Sequence, residues 1–309
     1  NKHGWYAEEP ASMRVEQLVR DVEAERERLR RDVTAFFERT QRREIAIAHH
    51  PAEEKLSVGA SKFYGTPDLP ADFDWPYYEG TDFEDVTKNR PLAFLAQINL
   101  TEASQYDRTG LLPTSGVLSF FYETMSMEWG FEPRHEGYAR VYYFPETEGL
   151  VPTQIPEETK EWSVGEQALS FADAVSLLSS FAYSRSCGNE VDWDTYNELR
   201  AAFGYDAAAH EDNPMKMLGY ADEIQNEMEP ECERYSRGID GDVQLSEEEE
   251  AELVRSAADR WVLLFQMGTV EDDETELMYG DCGRIYFWIR KEDLAARNFD
   301  NVRLILQCG

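Results

Sequence analysis

Apolar residues near the start of the chain recur with a helical period. Val15, Leu18, Val19 and Val22 follow an i, i+3, i+4, i+7 spacing, and Leu29, Val33, Phe36 and Phe37 continue the stripe. The pattern predicts one long helix over 12–48. It should stop before Pro51, because the residue preceding a proline is pushed out of the helical region. Residues 51–90 lose this period. PDLPADFDWPYYEG carries three prolines, four acids and four aromatics. That is too aromatic for a free linker and predicts a loop pinned on a sheet.

Short apolar runs follow. PLAFLAQINL (91–100), GVLSFFYE (116–123) and ARVYYF (139–144) predict strands, the last closed by Pro145. Thr101 is placed to start a short helix between the first two. The segment 146–214 changes character. Its Pro- and Glu-rich beginning reads as a connector. SFADAVSLLSSF (170–181) predicts a helix capped by Ser170, and VDWDTYNELRAAF (191–203) another capped by Asp192. In LSEEEEAELVRSAAD (245–259), Ser246 and Glu249 form a capping box, so the four-glutamate run has a structural explanation and needs no metal. Strands are then expected at 261–267, 284–290 and 302–308, with a helical turn between the last two.

Two nine-residue stretches echo each other. KFYGTPDLP and KMLGYADEI share Lys62/Lys216, Gly65/Gly219 and Asp68/Asp222 at equal offsets. An apolar strand containing a glutamine follows each, with Gln97 in one and Gln266 in the other. A glycine-led aromatic strand comes next, after Gly116 and Gly283, and then a β-branched strand. Four matches in the same order argue for an internal duplication, with a period far longer than that of solenoid repeats. The expected fold is α+β, internally duplicated: two pseudo-twofold-related units with mainly antiparallel sheets, plus the long N-terminal helix. The boundaries read as a helical segment over 1–54, a first unit over 55–150, a connector with helices over 151–214 and a second unit over 215–309. Residues 55–309 are expected to form one compact domain. A glycine at the same place in both copies points to a turn with positive φ.

These same segments resemble a known family. SKFYGTPDLPADFDWP, PLAFLAQINL, LLPTSGVLSFFYE, MLGYADEIQ and the closing YGDCGRIYFWIRKEDLAARNFDNVRLILQC look like the YwqG-like family, a bacterial domain of unknown function, over roughly 55–309. The resemblance implies a soluble bacterial protein with a duplicated α+β fold. It also implies an association with bacterial toxin systems, of the immunity type. It brings no reaction and no catalytic residues.

Composition narrows the partners. The chain has 62 acidic and 30 basic residues in 309, a net charge of −32. Such a surface repels nucleic acid and anionic membranes and attracts basic proteins. Only seven of the basic residues are lysines. An acidic decoy for a basic partner and a surface adapted to a salty cytoplasm are both consistent with this. No apolar run approaches the ~18 residues of a membrane span, so no stable membrane insertion is expected. Four scattered cysteines without a CxxC pair fit a reducing, cytoplasmic setting. The helix over 12–48 is locally basic, with seven arginines between 26 and 43. It is expected to dock its apolar stripe on the acidic body.

No catalytic motif stands out: there is no HExxH, P-loop or GxSxG. The acidic pairs Asp72/Asp74 and Asp272/Asp273 lack metal-loop spacing. No metal site and no cofactor are expected. The duplicated polar residues are the best positional signal for a ligand cleft: Lys62, Asp68, Gln97, Lys216, Asp222 and Gln266. The competing reading is structural, with aspartates capping turns and glutamines satisfying buried backbone. The sequence thus favours a non-catalytic binding protein for a basic partner, of immunity or sequestering type. The alternative is an enzyme or binder for a small molecule in a cleft between the repeats.

Overall fold

The computed structural model describes residues 11–188, 190–205, 215–271 and 276–309, with the backbone alone described at 11–13 and 271. The chain divides into two compact units. One comprises residues 1–41 and 177–205, and the other 42–176 and 206–309.

In the smaller unit a helix spans Ala11–Thr40. Its second half carries the packing. Phe36 meets Tyr183 edge-on at 5.1 Å, and Phe37 meets Tyr196 at 5.3 Å and Phe203 at 5.5 Å. The partner helices are Ser180–Cys187 and Trp193–Ala202, capped by the side chains of Ser179 and Asp192. Its first half differs from expectation. Val15, Leu18, Val19 and Val22 are exposed rather than docked.

The larger unit is built on one ten-stranded antiparallel sheet. In chain order its strands are β1 (Arg42–Pro51), β2 (Lys62–Phe63), β3 (Ala93–Asn99), β4 (Val117–Tyr122) and β5 (Ala139–Phe144), then β6 (Gln167–Ser176), β7 (Met215–Met217), β8 (Trp261–Met267), β9 (Arg284–Arg290) and β10 (Arg303–Gln307). Their spatial order is β10-β9-β8-β7-β1-β6-β2-β3-β4-β5. The sheet curls until its flanks share one core: Phe120 of β4 lies 4.7 Å from Phe265 of β8 and 5.0 Å from Phe287 of β9.

The helices differ from expectation at three places. Residues 42–48 do not extend the first helix, which ends at Thr40; they belong to β1. Ile45 and Ile47 point into the core with period 2, and tertiary pairing overrides the helical stripe. Likewise, 170–176 is not the start of a helix but part of β6, which pairs along its whole length with β1, from Arg42↔Ser176 to Pro51↔Gln167. The connector therefore supplies a central strand. The short helix after β3 is capped by Asn99, not Thr101. The capping box at Ser246 and Glu249 forms as expected, on the helix Glu247–Ala258.

Outward from the β1–β6 pair, the flanks run alike. Each has a short strand holding a lysine, a strand holding a glutamine, an aromatic strand and an edge strand. Strands β3 and β8 both shift register two residues before the glutamine, at Leu95 and Leu264. Edge strands β5 and β10 do not pair with each other. The 123–138 loop closes the gap between them. Trp129 O accepts from Leu306 N at 3.0 Å, and the Tyr138 hydroxyl accepts from Leu304 N at 2.9 Å. Only glycine can stand at 130. Its φ is +91°, and a Cβ would fall 1.8 Å from Leu304 O.

Candidate functional site

Lys62 is buried on β2, opposite Gln97 of β3. Its ammonium donates to Thr66 O at 2.9 Å and Glu166 Oε2 at 3.1 Å, and forms an ion pair with Asp68 Oδ2 at 3.2 Å. Asp68 is fixed in turn. Its Oδ2 accepts from Gly59 N and from Gln97 Nε2, both at 2.9 Å, while Gln97 Oε1 accepts from Asp68 N at 2.8 Å.

The other flank repeats this chemistry. Lys216 of β7 lies opposite Gln266 of β8. Its ammonium meets Asp222 Oδ2 at 2.5 Å and Glu44 Oε2 at 3.0 Å. Gln266 Nε2 donates to Asp222 Oδ2 at 3.2 Å, and Asp222 N donates to Gln266 Oε1 at 2.9 Å. Burial works against the Lys216 charge, but Asp222 and Glu44 outweigh it and hold its pKa above the ordinary lysine value. An amine kept protonated in this way is no nucleophile.

The six sequence-predicted residues thus come together as two separate triads. Their lysine-bearing strands stand three strand spacings apart, about 14 Å. Sequence reasoning missed one member of each cluster, Glu166 and Glu44. Both sit two residues before an alanine that pairs with a lysine: Ala168 with Lys62 and Ala46 with Lys216. The shared E-x-A was the available signal, hidden by placing Glu44 in a helix and Glu166 in a connector.

The turns that carry the aspartates follow from the glycines. Gly65 and Gly219 have φ of +71° and +72°, as their matched positions predicted. A Cβ on Gly65 would lie 2.8 Å from Glu166 Cβ, and one on Gly219 2.8 Å from Glu44 Cβ. Each glycine therefore lets its turn pass directly over the glutamate that holds the lysine.

The first cluster opens onto a cleft of about 950 Å³. Lys62, Asp68 and Glu166 line it, together with the exposed Glu53, Glu54 and Lys55. Among the described residues, no group of three or more His, Cys, Asp or Glu side chains is placed to hold a metal ion. Asp272 and Asp273 lie outside the described residues.

A family model described as a domain of unknown function, DUF1963, matches residues 61–308. The chain belongs to this family. The DUF1963 match takes in Lys62, Asp68, Gln97, Glu166, Lys216, Asp222 and Gln266, and begins after Glu44. No curated protein matches the chain. No helix among the described residues is long and apolar enough to cross a membrane.

Proposed function

We propose that this DUF1963 chain is a non-catalytic binding protein that holds a basic protein partner. The carrying observation is the cleft beside Lys62. Its lysine is already neutralised by Asp68 and Glu166, so the free charge at the mouth is set by Glu53 and Glu54 against Lys55. A cleft of this sign accepts a guanidinium or ammonium from a partner, and the net charge of −32 steers such a partner toward it. An immunity-type or sequestering role, as the YwqG-like resemblance implies, accords with this chemistry. The free thiols Cys187, Cys232, Cys282 and Cys308 support a cytoplasmic setting. The matched flanks of the sheet support their origin by duplication of one unit. The alternative, an enzyme or binder acting on a small molecule in a cleft between the two repeats, is weakened because the Lys62 ammonium is already hydrogen-bonded to Thr66 O and Glu166 and ion-paired with Asp68.

The test is a titration of a fluorescent arginine-rich peptide into the full chain and into the double variant E53Q/E54Q, at low and high salt. The wild-type protein should bind with steep salt dependence, and the variant about tenfold more weakly. Equal affinity in both proteins overturns the reading.

A further inference from the structure

The open seam of the sheet holds a second, smaller pocket, of about 180 Å³. Its charge runs against that of the molecule. Arg140 of β5 and Arg303 of β10 line it from the two edge strands, with Arg290 and Tyr235 beside them. The two edge arginines occupy matching places. Arg140 pairs with Phe121 and Arg303 with Trp288, and these partners stand five residues after Gly116 and Gly283.

Arg303 is 5 % exposed. Its guanidinium stacks on Tyr235 at 3.1 Å and faces Tyr138 at 5.3 Å, while Nη2 donates to Gly130 O at 2.5 Å. Its Nε is buried and has no partner among the described residues. No described carboxylate lies within ion-pair distance of Arg303 or of the half-buried Arg140, in a chain with 62 acids. Arg290 is different, being held by Asp293 at 2.6 Å. Glu136 and Asp300 stand exposed at the rim. A buried cation without a counter-charge is costly. An anion in the pocket would supply that charge through the planar donors of two guanidiniums.

We propose that the seam pocket binds a small oxyanion, of phosphate or carboxylate type, between Arg140 and Arg303. The volume suits a phosphate-sized group with a few waters, at roughly 30 Å³ of liquid volume per water. It falls below the ~300 Å³ at which pockets for larger ligands begin. The negative field of the whole chain does not prevent this, because salt screens it beyond about 10 Å while the two arginines act at contact. A bound anion would also tie β5 to β10, the one junction that the ladder leaves open.

The experiment is calorimetric titration of inorganic phosphate, and separately of acetate, into the full chain at constant ionic strength set with NaCl. The proteins are wild type, R140Q and D300N. Arg140 is half-buried on an edge strand, so R140Q should keep its fold, which circular dichroism checks. Saturable binding of either probe is expected. R140Q should weaken it at least tenfold, and D300N, which removes a rim carboxylate, should tighten it. Phosphate binding without acetate binding assigns a phosphoryl ligand, and the reverse a carboxylate. Failure of both probes to saturate, or unchanged affinity in R140Q, overturns the proposal.

Discussion

Lys216 Nζ and Glu44 Oε2 lie 3.0 Å apart with side chains 2 % and 0 % exposed, although 172 positions separate them in the chain. The pair ties β7 to β1 where no water can compensate a lost partner. K216M would leave both Glu44 and Asp222 without their cation. It should destabilise the protein by about 3–5 kcal/mol, the cost of breaking a buried pair from one side. The double variant E44L/K216M should lose less than the sum of the single changes, because Glu44 goes with its cation and only Asp222 is left unpaired. Urea unfolding of the four proteins checks this, and strict additivity would contradict it.

Gly219→Ala and Gly65→Ala test the turns above the two glutamates. Both positions have positive φ, so each alanine should cost more than about 1 kcal/mol from backbone strain alone. The clash then separates them. Glu44 is fully buried, while the Glu166 side chain is 22 % exposed and borders the cleft. A Cβ at 65 would press on Glu166 alone, at the edge of the cleft, whereas one at 219 would press on both Glu44 Cβ, at 2.8 Å, and Ser176 Oγ, at 2.5 Å, in the buried interior. G219A should therefore lower the urea midpoint more than G65A, and the reverse order would show that packing against Glu44 and Ser176 does not set the cost.

Much of this was legible in the sequence because it is local. The strands around Gln97, Phe120, Phe265 and Phe287, the caps at Asp192 and Ser246, and the positive φ at Gly65 and Gly219 all follow from short-range patterns. The matching of Lys62 with Lys216, and of Asp68 with Asp222, led to two triads of the same geometry. What failed was non-local. Ile45 and Ile47 suit a helical stripe and a strand equally well, and only pairing with β6 and β7 decides between them. With β1 read as helix, Glu44 had no route to Lys216. Arg140 and Arg303 are unremarkable as single residues; the curl of the sheet brings them to one seam.

Acid should loosen the closing loop through Glu128. His135 Nε2 meets Glu128 Oε2 at 2.9 Å, and His135 Nδ1 accepts from Gly130 N at 3.2 Å. The hydrogen bond from His135 holds the Glu128 carboxyl below its ordinary value of 4.5, against the opposing effect of burial. A carboxyl depressed in the folded state stabilises fully above its unfolded value. That contribution is lost as pH falls from 4.5 through the folded value. The stability difference between wild type and E128Q should thus be constant near neutrality and shrink below about pH 4.5. Urea unfolding across that range measures it, and a difference that stays flat into acid would contradict the assignment.

Added salt should raise the melting temperature. Two effects oppose each other. Salt screens exposed ion pairs such as Arg28–Glu25, Arg237–Glu252 and Arg260–Glu292, which contribute little to stability. Salt also screens the self-repulsion of 62 acids against 30 bases. The excess of 32 charges is larger than such weak surface pairs can offset, so relief of repulsion should win. The buried Lys62 and Lys216 clusters are screened least and should hold throughout. Thermal unfolding from low to molar KCl measures the balance. A rise that levels off near physiological salt is ordinary Debye screening, while one that continues into molar KCl points to a surface adapted to a salty cytoplasm. A fall on adding salt would show that the ion pairs, not the net charge, govern the surface.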